Sequence, residues 1–262
     1  MPEIPDLNIY RDNILKQLKG AKVEKAKVLW PQKSNVSEDE LEKALKGKKL
    51  EDIERQGKML HFHFSGNKTL AFHLMLNGKL YITEKPGEVK NPILQLIFDD
   101  GRFLQLADRQ GWANAVLGPE TGKKAPDVMD KDFTWEYFNE QCSSHPRMKI
   151  KNLITEQKYM RGIGNAYSDE ILWEAGVSPF SLAGAIPEDA RKRIYKAIPK
   201  VLKEAEKIIR KNHGDTVNEI IRDHLKVHNP KAGKTPTGHK IQFKQEGGMS
   251  RTYYSDEQEL YN

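Results

Sequence analysis

Cysteine is almost absent from this chain of 262 residues, which contains a single one, Cys142. A lone cysteine excludes an internal disulfide and any zinc site built mainly from cysteine ligands. Long hydrophobic runs are also missing, since no stretch approaches the roughly 18 apolar residues that a membrane helix needs. The N-terminus, MPEIPDL, carries acids where a secretory signal would carry bases and then an apolar run. We therefore expect a cytoplasmic protein with no membrane partner.

A large excess of charge is missing as well. Lys and Arg total 43 against 37 for Asp and Glu, which gives a net charge of +6. A surplus of this size favours a nucleic-acid partner only weakly, because many unrelated proteins are equally basic. The local distribution is more informative: residues 145–165 contain one acid, Glu156, and five bases, which are Arg147, Lys149, Lys151, Lys158 and Arg161. These bases form either a phosphate-binding surface or one solvated helix face.

The first 120 residues are predicted to form a helix followed by antiparallel strands. Apolar residues repeat at helical spacing over 5–18, and Gly20 then ends the helix. Beyond it, apolar runs alternate with turn signals, and the Asn77-Gly78 pair is typical of a β-hairpin. The predicted strands are 61–64, 69–76, 79–82, 93–98 and 103–106, with turns at 65–67, 77–78 and 100–101. Successive hairpins predict an antiparallel sheet large enough to form a two-layer sandwich.

The second half of the chain changes character. The segment 119–131 is polar and contains two prolines, which predicts an interdomain linker. Beyond it, residues 191–211 carry the apolar stripe of an amphipathic helix that covers a core. In the tail, two short strand-like stretches flank Gly247-Gly248 and predict a hairpin. The predicted division is a sandwich domain at 1–120, a linker at 121–132, a helical domain at 133–227 and a hairpin region at 228–262.

The N-terminus offers a candidate nucleophile. Methionine before a small residue is commonly removed, which would give Pro2 a free secondary amine. An α-amino group has a reference pKa of about 8, so a useful fraction is unprotonated near neutral pH. Such an amine can attack a sugar C1′ atom and form a Schiff base, while Glu3 could act as general acid or base on the ring oxygen. The alternative is that Met-Pro-Glu begins the chain without chemical meaning.

A second signal spans residues 148–176, MKIKNLITEQKYMRGIGNAYSDEILWEAG. Its spacing predicts a helix, a tight connection at 162–164, and a second helix with Asn165 as N-cap and Gly176 as its end. This arrangement directs backbone N–H groups and a positive helix end toward a phosphate. Three bases lie nearby: Lys149, Lys151 and Arg161. A Rossmann loop would need a preceding strand and a third glycine, which are missing, whereas a purely structural helical hairpin is the alternative.

A third signal lies in the tail, EGGMSRTYYSDEQEL, at residues 246–260. Arg251 at the tip of a hairpin could clamp a phosphate beside a reacting sugar, because a guanidinium forms bidentate bonds with phosphate oxygens. The alternative is one surface arginine on an edge hairpin.

Short motifs occur along the whole chain in one order. They are the opening MPEIPDL, Arg55-Gln56-Gly57-Lys58 before a strand, His73-Leu74-Met75-Leu76-Asn77-Gly78, the set Gly162, Gly164, Asn165, Tyr167 and Glu170, and the tail around Arg251. Together they resemble the formamidopyrimidine-DNA glycosylase/endonuclease VIII (Fpg/Nei) family. The matching family motifs are MPELPEV, a β-hairpin Gly-Lys, His-Leu-x-Met-x-Gly, and Gly-x-Gly-Asn-x-Tyr-x-x-Glu. Each motif alone is weak, so the resemblance depends on their shared order.

The resemblance implies an α+β fold. Its parts are an N-terminal antiparallel β-sandwich with an N-terminal helix, a C-terminal helical domain with a helix–two-turn–helix, and a terminal β-hairpin finger. It implies double-stranded damaged DNA as the partner, bound in the cleft between the domains, no cofactor, and a monomer that acts in the cytoplasm on the nucleoid. It also implies excision of a flipped damaged base, followed by strand nicking through elimination.

The resemblance also implies roles for individual residues. Pro2 is the Schiff-base nucleophile, Glu3 the acid/base, and Lys58 a catalytic-site contact to a phosphate near the lesion. Asn165 and Arg251 would hold the DNA backbone beside the damaged nucleotide. Further DNA contacts are expected from Lys151, Arg161 and Gly164.

The finger departs from the family pattern. The family's finger usually carries four cysteines on zinc, whereas Cys142 lies far upstream of the tail. The cysteine positions have become residues such as Ser255 and Gln258. We therefore predict a finger without zinc, held by packing of Tyr253 and Tyr254.

Three further departures concern DNA contacts. Arg251 directly precedes Thr252, whereas the family's arginine stands two residues before its threonine. Asp6 and Asn8 replace two family glutamates near the site. Leu76 aligns with the family's intercalating methionine, so an apolar wedge of different shape remains.

The family's Arg-x-Phe loop, which fills the void left by the flipped nucleotide, corresponds to residues 108–112. Here Arg109 or Gln110 could face the orphaned base, and Trp112 could serve as a wedge. These changes leave the preferred lesion open.

The function predicted from these observations is a bifunctional DNA glycosylase/AP lyase of base excision repair. Oxidised purines of the formamidopyrimidine or 8-oxoguanine type are the first expected substrates, and oxidised pyrimidines the second. A non-catalytic damaged-DNA-binding protein of the same fold is a different class, against which the intact Pro2 and Glu3 argue. An unrelated basic α+β binding protein would require five ordered matches by accident.

Overall fold

A computed structural model of the chain describes residues 1–85, 87–119, 124–245 and 250–262. The chain divides into two compact units: Met1–Gly122 with Ile209–Ile220, and Lys123–Ile208 with Ile221–Asn262. Part of the predicted linker 121–132 and the glycine pair 247–248 lie outside the described residues. The predicted boundary at 227/228 stays a prediction. Within the described ranges, no helix is both long and apolar enough to cross a bilayer.

The first unit begins with helix α1 (Ile4–Leu18). Its bounds confirm the helix predicted over 5–18. Pro5 lies in the first turn, where its missing N–H would have no helical partner. The predicted apolar stripe is buried: Leu7, Tyr10, Ile14 and Leu18 are at most 1% exposed. Gly20 takes a left-handed φ of +82° and turns the chain away from the helix axis.

The rest of the first unit is a two-layer β-sandwich, as predicted. Its two four-stranded antiparallel sheets have the strand orders β1-β6-β7-β5 and β2-β3-β4-β8. Both sheets contribute to one apolar core, for example Phe62 and Phe72 from one and Leu96 and Leu104 from the other. The elements are β1 (Val23–Val28), helix α2 (Glu38–Leu45), β2 (Leu50–Gln56), β3 (Met59–Phe64), β4 (Lys68–His73), β5 (Lys79–Thr83), β6 (Pro92–Phe98), β7 (Phe103–Ala107) and β8 (Asn114–Leu117).

Two of the three predicted hairpin turns are confirmed. The turn at 65–67 joins β3 to β4, and the turn at 100–101 joins β6 to β7. The hairpin predicted at Asn77-Gly78 is wrong, because β4 and β5 belong to different sheets. Strand β4 is paired with β3 on one edge and β8 on the other, so no edge is left for β5. The Asn-Gly pair therefore lies at a corner where the chain crosses between the layers.

Position 78 requires glycine because a larger side chain would clash with its neighbours, and not because of the backbone conformation. A Cβ atom on Gly78 would lie 2.4 Å from the Leu74 carbonyl oxygen and 2.6 Å from Ala113 Cβ. The Gly78 N–H donates to the same Leu74 oxygen at 2.8 Å. The corner is therefore closed against any larger residue.

The second unit contains the remaining helices and the tail hairpin. Strands β9 and β10 pair antiparallel, which confirms the predicted hairpin. The long helix α6 confirms the helix predicted over 191–211, although its last residues from Ile209 belong to the first unit. The elements are α3 (Trp135–Ser144), α4 (Ile150–Thr155), α5 (Asn165–Glu174), α6 (Glu188–His213), β9 (Ile241–Gln245) and β10 (Arg251–Ser255).

One helix boundary in this unit corrects the sequence prediction. Gly164, with an extended backbone, is the N-cap of α5, and Asn165 is the first helical residue. The Asn165 side chain is therefore released from capping its own helix. At the other end, Gly176 takes a φ of +68° and ends the helix as predicted.

Replacing Gly78 by alanine tests the corner between the sheets. We expect Gly78→Ala to lower the free energy of unfolding by about 1–3 kcal/mol, as overpacking of a closed site does. Urea denaturation measures the change. Gly233→Ala is the matched control, because a Cβ there meets no atom within 4 Å. Equal stabilities of the two variants would contradict the steric argument.

Candidate active site and DNA-binding surface

Pro2 and Glu3, which lie directly before α1, are both buried. Glu3 is the N-cap, and its N–H donates to the Asp6 carboxylate at 2.8 Å. The reciprocal contact between the Glu3 side chain and the Asp6 backbone completes a capping box. Both carboxylates are at most 3% exposed, and the positive end of the helix favours their negative charge. Asp6, which replaces a family glutamate, therefore fixes the start of the helix.

Lys58 lies near Glu3 in the tight turn between β2 and β3. Gly57 before it has a left-handed φ of +58°. Burial lowers the pKa of Lys58, while the negative charge of Glu3 opposes this shift. Arg55 ties the turn to α1, because its Nε donates to Asn8 at 2.8 Å and its guanidinium reaches the Gly57 carbonyl at 3.0 Å. The structure thus brings Glu3 and Lys58, which are 55 residues apart in the sequence, into one electrostatic environment.

Two loops of the same unit present the residues predicted to fill the void in DNA. The loop after β4 exposes Leu76 to 49%, and the loop after β7 exposes Trp112 to 53%. The Asn77 side-chain amide donates to Gln110, which joins the two loops. Arg109 and Gln110 are exposed beside them. The four predicted residues therefore lie on two connected loops.

Asp108 organises the second loop and was not singled out from the sequence. Its carboxylate, 2% exposed, accepts hydrogen bonds from the backbone N–H groups of Gln110, Trp112 and Ala113 at 2.8–2.9 Å. Gly111 follows with a φ of +64°. An Asp two to three residues before such a glycine is a turn signal, and it could have identified this loop.

The segment 209–220 joins this site from the far end of the sequence. The Tyr10 hydroxyl donates to the Glu219 carbonyl at 2.6 Å, and the Asn13 amide donates to the Gly214 and Thr216 carbonyls at 2.6 and 2.7 Å. An open groove of about 670 Å³ is lined by Leu76, Asn77, Gly78, Lys79, Arg109, Gln110, Asn218 and Ile220. No local pattern predicts these contacts, since about 200 residues separate the partners.

In the second unit, one side chain clamps the glycine turn between α4 and α5. Gln157 donates to the carbonyls of Thr155 and Ile163 at 2.7 and 2.9 Å, and it accepts the Gly162 N–H at 2.9 Å. Gly162 has a φ of +111°. The turn is therefore rigid, with Gly164 at the N-terminus of α5.

Asn165 and Arg251, both predicted to contact DNA, lie beside each other. The Asn165 amide donates to the Arg251 carbonyl at 3.0 Å, so the helical turn and the finger are joined. The Arg251 side chain is exposed, and its guanidinium lies 4.9 Å from the centre of the Phe243 ring. Arg161 is held to the segment before α3, because its Nε donates to the Ala125 carbonyl at 2.8 Å.

Lys151, which is predicted to contact DNA, lies in a buried ion pair. Lys151 is 6% exposed, and its ammonium bonds to the Asp169 carboxylate at 2.5 Å. Asp169 also accepts from His228 at 2.7 Å and from the Tyr253 N–H at 2.9 Å. The positive charge of Lys151 therefore compensates the buried Asp169 carboxylate.

Glu170, the last residue of the matched motif, has a comparable structural position. Burial raises the pKa of Glu170, while hydrogen bonds from the backbone oppose the shift. Its carboxylate accepts the N–H groups of Lys226, Val227 and His228 at 2.7–2.9 Å. Helix α5 thereby holds the chain segment that leads into the finger.

The finger is held by aromatic packing, as predicted. Tyr253 packs against His228 with ring centres 4.7 Å apart, and Tyr254 packs edge-on against Phe180 at 5.0 Å. Ser255 and Gln258 stand where the family's finger carries cysteines, and they are joined by hydrogen bonds. The Ser255 N–H donates to the Gln258 side chain, which in turn donates to the Val177 carbonyl at 2.8 Å.

Glu257 is the centre of a second set of finger contacts that sequence reasoning missed. Its carboxylate accepts hydrogen bonds from Trp173, Thr237 and Ser255 at 2.7–2.9 Å. Partial burial opposes its ionisation, but the hydrogen bonds from Thr237, Trp173 and Ser255 outweigh it and lower the pKa of Glu257 to about 2. One carboxylate thus joins β10, helix α5 and the turn before β9.

Comparisons with known proteins agree with this architecture. The family model for the formamidopyrimidine-DNA glycosylase N-terminal domain matches residues 1–114, and the model for the H2TH domain matches residues 124–216. The formamidopyrimidine-DNA glycosylase of Carboxydothermus hydrogenoformans is 34% identical over 205 residues, 77% of this chain and 76% of that protein. The Lactobacillus johnsonii enzyme of the same name is 31% identical over 231 residues, 84% and 82% of the two chains.

Solved structures give the same result. A complex of the wild-type Lactococcus lactis Fpg with DNA containing N7-benzyl-Fapy-dG has a TM-score of 0.84 at 26% identity, covering 97% of each chain. A complex of the LlFpg protein with THF-DNA and an inhibitor has a TM-score of 0.86 at 25% identity, covering 97% and 98%. The sandwich, the helical turn and the hairpin finger define the fold of a DNA glycosylase. The chain belongs to the formamidopyrimidine-DNA glycosylase (Fpg/Nei) family.

The stability contributed by Glu257 depends on pH. Because its folded-state pKa lies below the ordinary 4.5, its contribution is present above pH 4.5 and is lost as the pH falls toward about 2. We expect Glu257→Gln to cost about 1 kcal/mol at pH 7, a value reduced for solvent screening. The difference from the unmodified protein should shrink below pH 4.5.

Urea denaturation followed by tryptophan fluorescence measures this effect, since the Trp173 indole donates to Glu257. Glu188→Gln is the control, because its side chain is 66% exposed and pairs with Lys192 on the helix surface. A pH-independent difference between Glu257→Gln and the parent would contradict the assigned hydrogen bonds.

Proposed function

We propose that this protein is a bifunctional DNA glycosylase/AP lyase that acts on oxidised bases in double-stranded DNA. Purines of the formamidopyrimidine and 8-oxoguanine type are the first substrate class. Family membership and the named activity of the relatives support DNA as substrate. The observation that carries the proposal is the buried N-terminus, where Pro2 adjoins Glu3 and Glu3 is electrostatically coupled to Lys58.

Removal of Met1 would make Pro2 a secondary amine with a reference pKa of about 8. At that pKa a useful fraction of the amine is the neutral nucleophile near neutral pH. The nitrogen attacks C1′ of the damaged nucleotide, forming an N–C1′ bond while the glycosidic bond breaks. The bonding electrons leave with the base, which takes up a proton from water. The Glu3 carboxylate accepts the proton that the amine loses, and the sugar ring opens to give an iminium ion.

Glu3 is the proton carrier in this scheme. It donates the proton received from the amine to the ring oxygen O4′ as the ring opens, and the resulting carboxylate can accept a proton afterwards. Loss of a proton from C2′ then expels the 3′ phosphate and nicks the strand, and hydrolysis of the iminium releases Pro2. Lys58 supplies a positive charge for a phosphate near the lesion, because an ammonium group and a phosphate form charge-assisted hydrogen bonds.

Residues of the second unit hold the DNA backbone in this proposal. Gly164 at the N-terminus of α5 and the side chains of Asn165, Arg161 and Arg251 contact phosphates. Lys151 acts through Asp169 as a positioning residue. Leu76, Arg109, Gln110 and Trp112 of the first unit fill the space left by the flipped nucleotide, which is required because C1′ is shielded inside a stacked duplex.

Borohydride reduction in the presence of abasic-site DNA tests the nucleophile. Reduction converts a Schiff base into a stable covalent adduct, so we expect a trapped complex with the unmodified protein. Trapping should fall at least tenfold in Pro2→Gly and be absent when an N-terminal fusion keeps the Pro2 nitrogen in a peptide bond, because an amide nitrogen is not a nucleophile.

Pro31→Gly is the matched control, since Pro31 is exposed in a different part of the same unit. It should trap like the parent. A parent protein that binds the abasic duplex without forming any adduct would refute the lyase and leave the non-catalytic binding protein as the function.

The phosphate contact of Asn165 has its own test. We expect Asn165→Ala to weaken binding of an abasic-analogue duplex by about 1–3 kcal/mol, the cost of a lost hydrogen bond to a charged group. Fluorescence anisotropy measures the affinity. Asn152→Ala, an exposed asparagine on α4, should bind like the parent. An unchanged affinity in Asn165→Ala would remove this residue from the DNA-binding surface.

A further inference from the structure

Three glycine turns of the first unit bring lysines together at one end of the sandwich. Their sequences are Lys-Gly-Ala-Lys at 19–22, Lys-Gly-Lys-Lys at 46–49 and Ser-Gly-Asn-Lys at 65–68. Each contains a glycine with a left-handed φ: +82° at Gly20, +77° at Gly47 and +76° at Gly66. The three turns contain six lysines and no acid.

The turns are packed against one another by backbone hydrogen bonds. Lys22 and Lys49 face each other in an antiparallel bridge, and the Val23 N–H donates to the Lys48 carbonyl at 2.9 Å. The Ser65 N–H donates to the Lys49 carbonyl at 2.9 Å, which joins the third turn. We call this surface the turn-lysine patch; its members are Lys19, Lys22, Lys46, Lys48, Lys49 and Lys68.

The six lysines outnumber the carboxylates beside them, of which Asp99 accepts the Lys22 N–H at 3.2 Å. Five of the six lysines are exposed and Lys48 is half-buried. Among the residues that the structure describes, only Lys46 forms an ion pair, with Glu42 at 3.2 Å. Lys19 lies at the C-terminus of α1, where the helix dipole favours a positive charge. The helix dipole does not account for the other five lysines.

The chemistry of the patch selects a phosphate backbone over a protein partner. Protein interfaces depend on buried aromatic and apolar anchors, whereas the only apolar side chain in these turns, Ala21, is buried in the core. The bases are all lysines, which act as point charges and do not read bases or bind in a fixed bidentate geometry. Such a surface suits sequence-independent contact with DNA.

The patch lies at the opposite end of α1 from Pro2 and Glu3. The helix has 15 residues, so about 22 Å separates its two ends. We propose that the turn-lysine patch is a second phosphate-binding surface for duplex DNA, separate from the lesion site. The phosphates come either from a second duplex or from a distant stretch of the lesion-bearing duplex.

A ternary-complex measurement tests this surface with the full chain. The protein is saturated with an immobilised short duplex that carries a tetrahydrofuran abasic-site analogue, and a labelled undamaged duplex is then added over a series of salt concentrations. We expect capture of the labelled duplex at low salt. Lys19→Gln/Lys22→Gln/Lys49→Gln should reduce this capture at least tenfold and lower the slope of log affinity against log salt by about 3.

The control variant Lys203→Gln/Lys207→Gln/Lys211→Gln removes the same charge from exposed positions of α6. It should retain capture, and both variants should bind the abasic-analogue duplex and form the borohydride adduct like the parent. A second arm lengthens the abasic-analogue duplex. If the affinity for the abasic-analogue duplex rises with its length, and only the patch variant loses this rise, the phosphates belong to the same duplex. Ternary capture of the labelled duplex assigns the phosphates to a second one.

Two results would overturn the proposal. One is the absence of both ternary capture and length dependence in the parent, including the case in which an oligoglutamate peptide binds the patch instead. The other is an equal loss in the patch and control variants, which would assign the effect to net charge. Failure of the lyase leaves this test intact, because the tetrahydrofuran duplex needs no reaction with Pro2.

Discussion

The site depends on the burial of charged groups at the first turn of α1. Glu3, Asp6 and Lys58 are each at most 9% exposed, and an isolated charge at such a position would be costly. The capping box and the attraction between Glu3 and Lys58 compensate that cost only while the helix start keeps its place. Chain termini are commonly mobile. Here the buried charges and their partners hold the start of the helix in place, as the proposed nucleophile Pro2 requires.

Buried carboxylates organise the second unit by the same physics. Asp169 and Glu170 are neighbours on α5, and each collects three hydrogen-bond partners from distant parts of the chain. Because an unpaired carboxylate would be destabilising there, the helix, the segment 226–228 and strand β10 are fixed together. The position of Arg251 beside Asn165 is a consequence of that arrangement.

The elements that the sequence predicts well are those defined by local physics. Helical periodicity identifies α1 and α6, and the turns at 65–67 and 100–101 are sharp reversals within single sheets. Asn77-Gly78 has an equally strong turn signal, but a turn preference specifies a reversal and not the strand that is paired afterwards. Since β3 and β8 occupy both edges of β4, the partner of β5 is decided by the tertiary fold.

The difference between local signals and tertiary contacts also applies to the candidate site. Short motifs single out Pro2, Glu3, Lys58 and Asn165 as candidates, because each lies at a helix start or in a glycine turn that the sequence predicts. The burial of Lys151 follows from helical spacing: Lys151 stands three residues before the buried Ile154 and therefore shares the inward face of α4. Helical spacing alone could have predicted its burial.

One carboxylate of the finger shows the limit of local signals. A carboxylate can connect several parts of a fold, because its two oxygens accept several hydrogen bonds. Glu257 is such an acceptor, with donors from α5, from the turn before β9 and from β10 itself. The low pKa of Glu257 follows from this convergence, since all three donors favour the ionised form. The role of such a carboxylate is therefore best interpreted by the number of donors the fold directs at it, a property that no single position in the sequence displays.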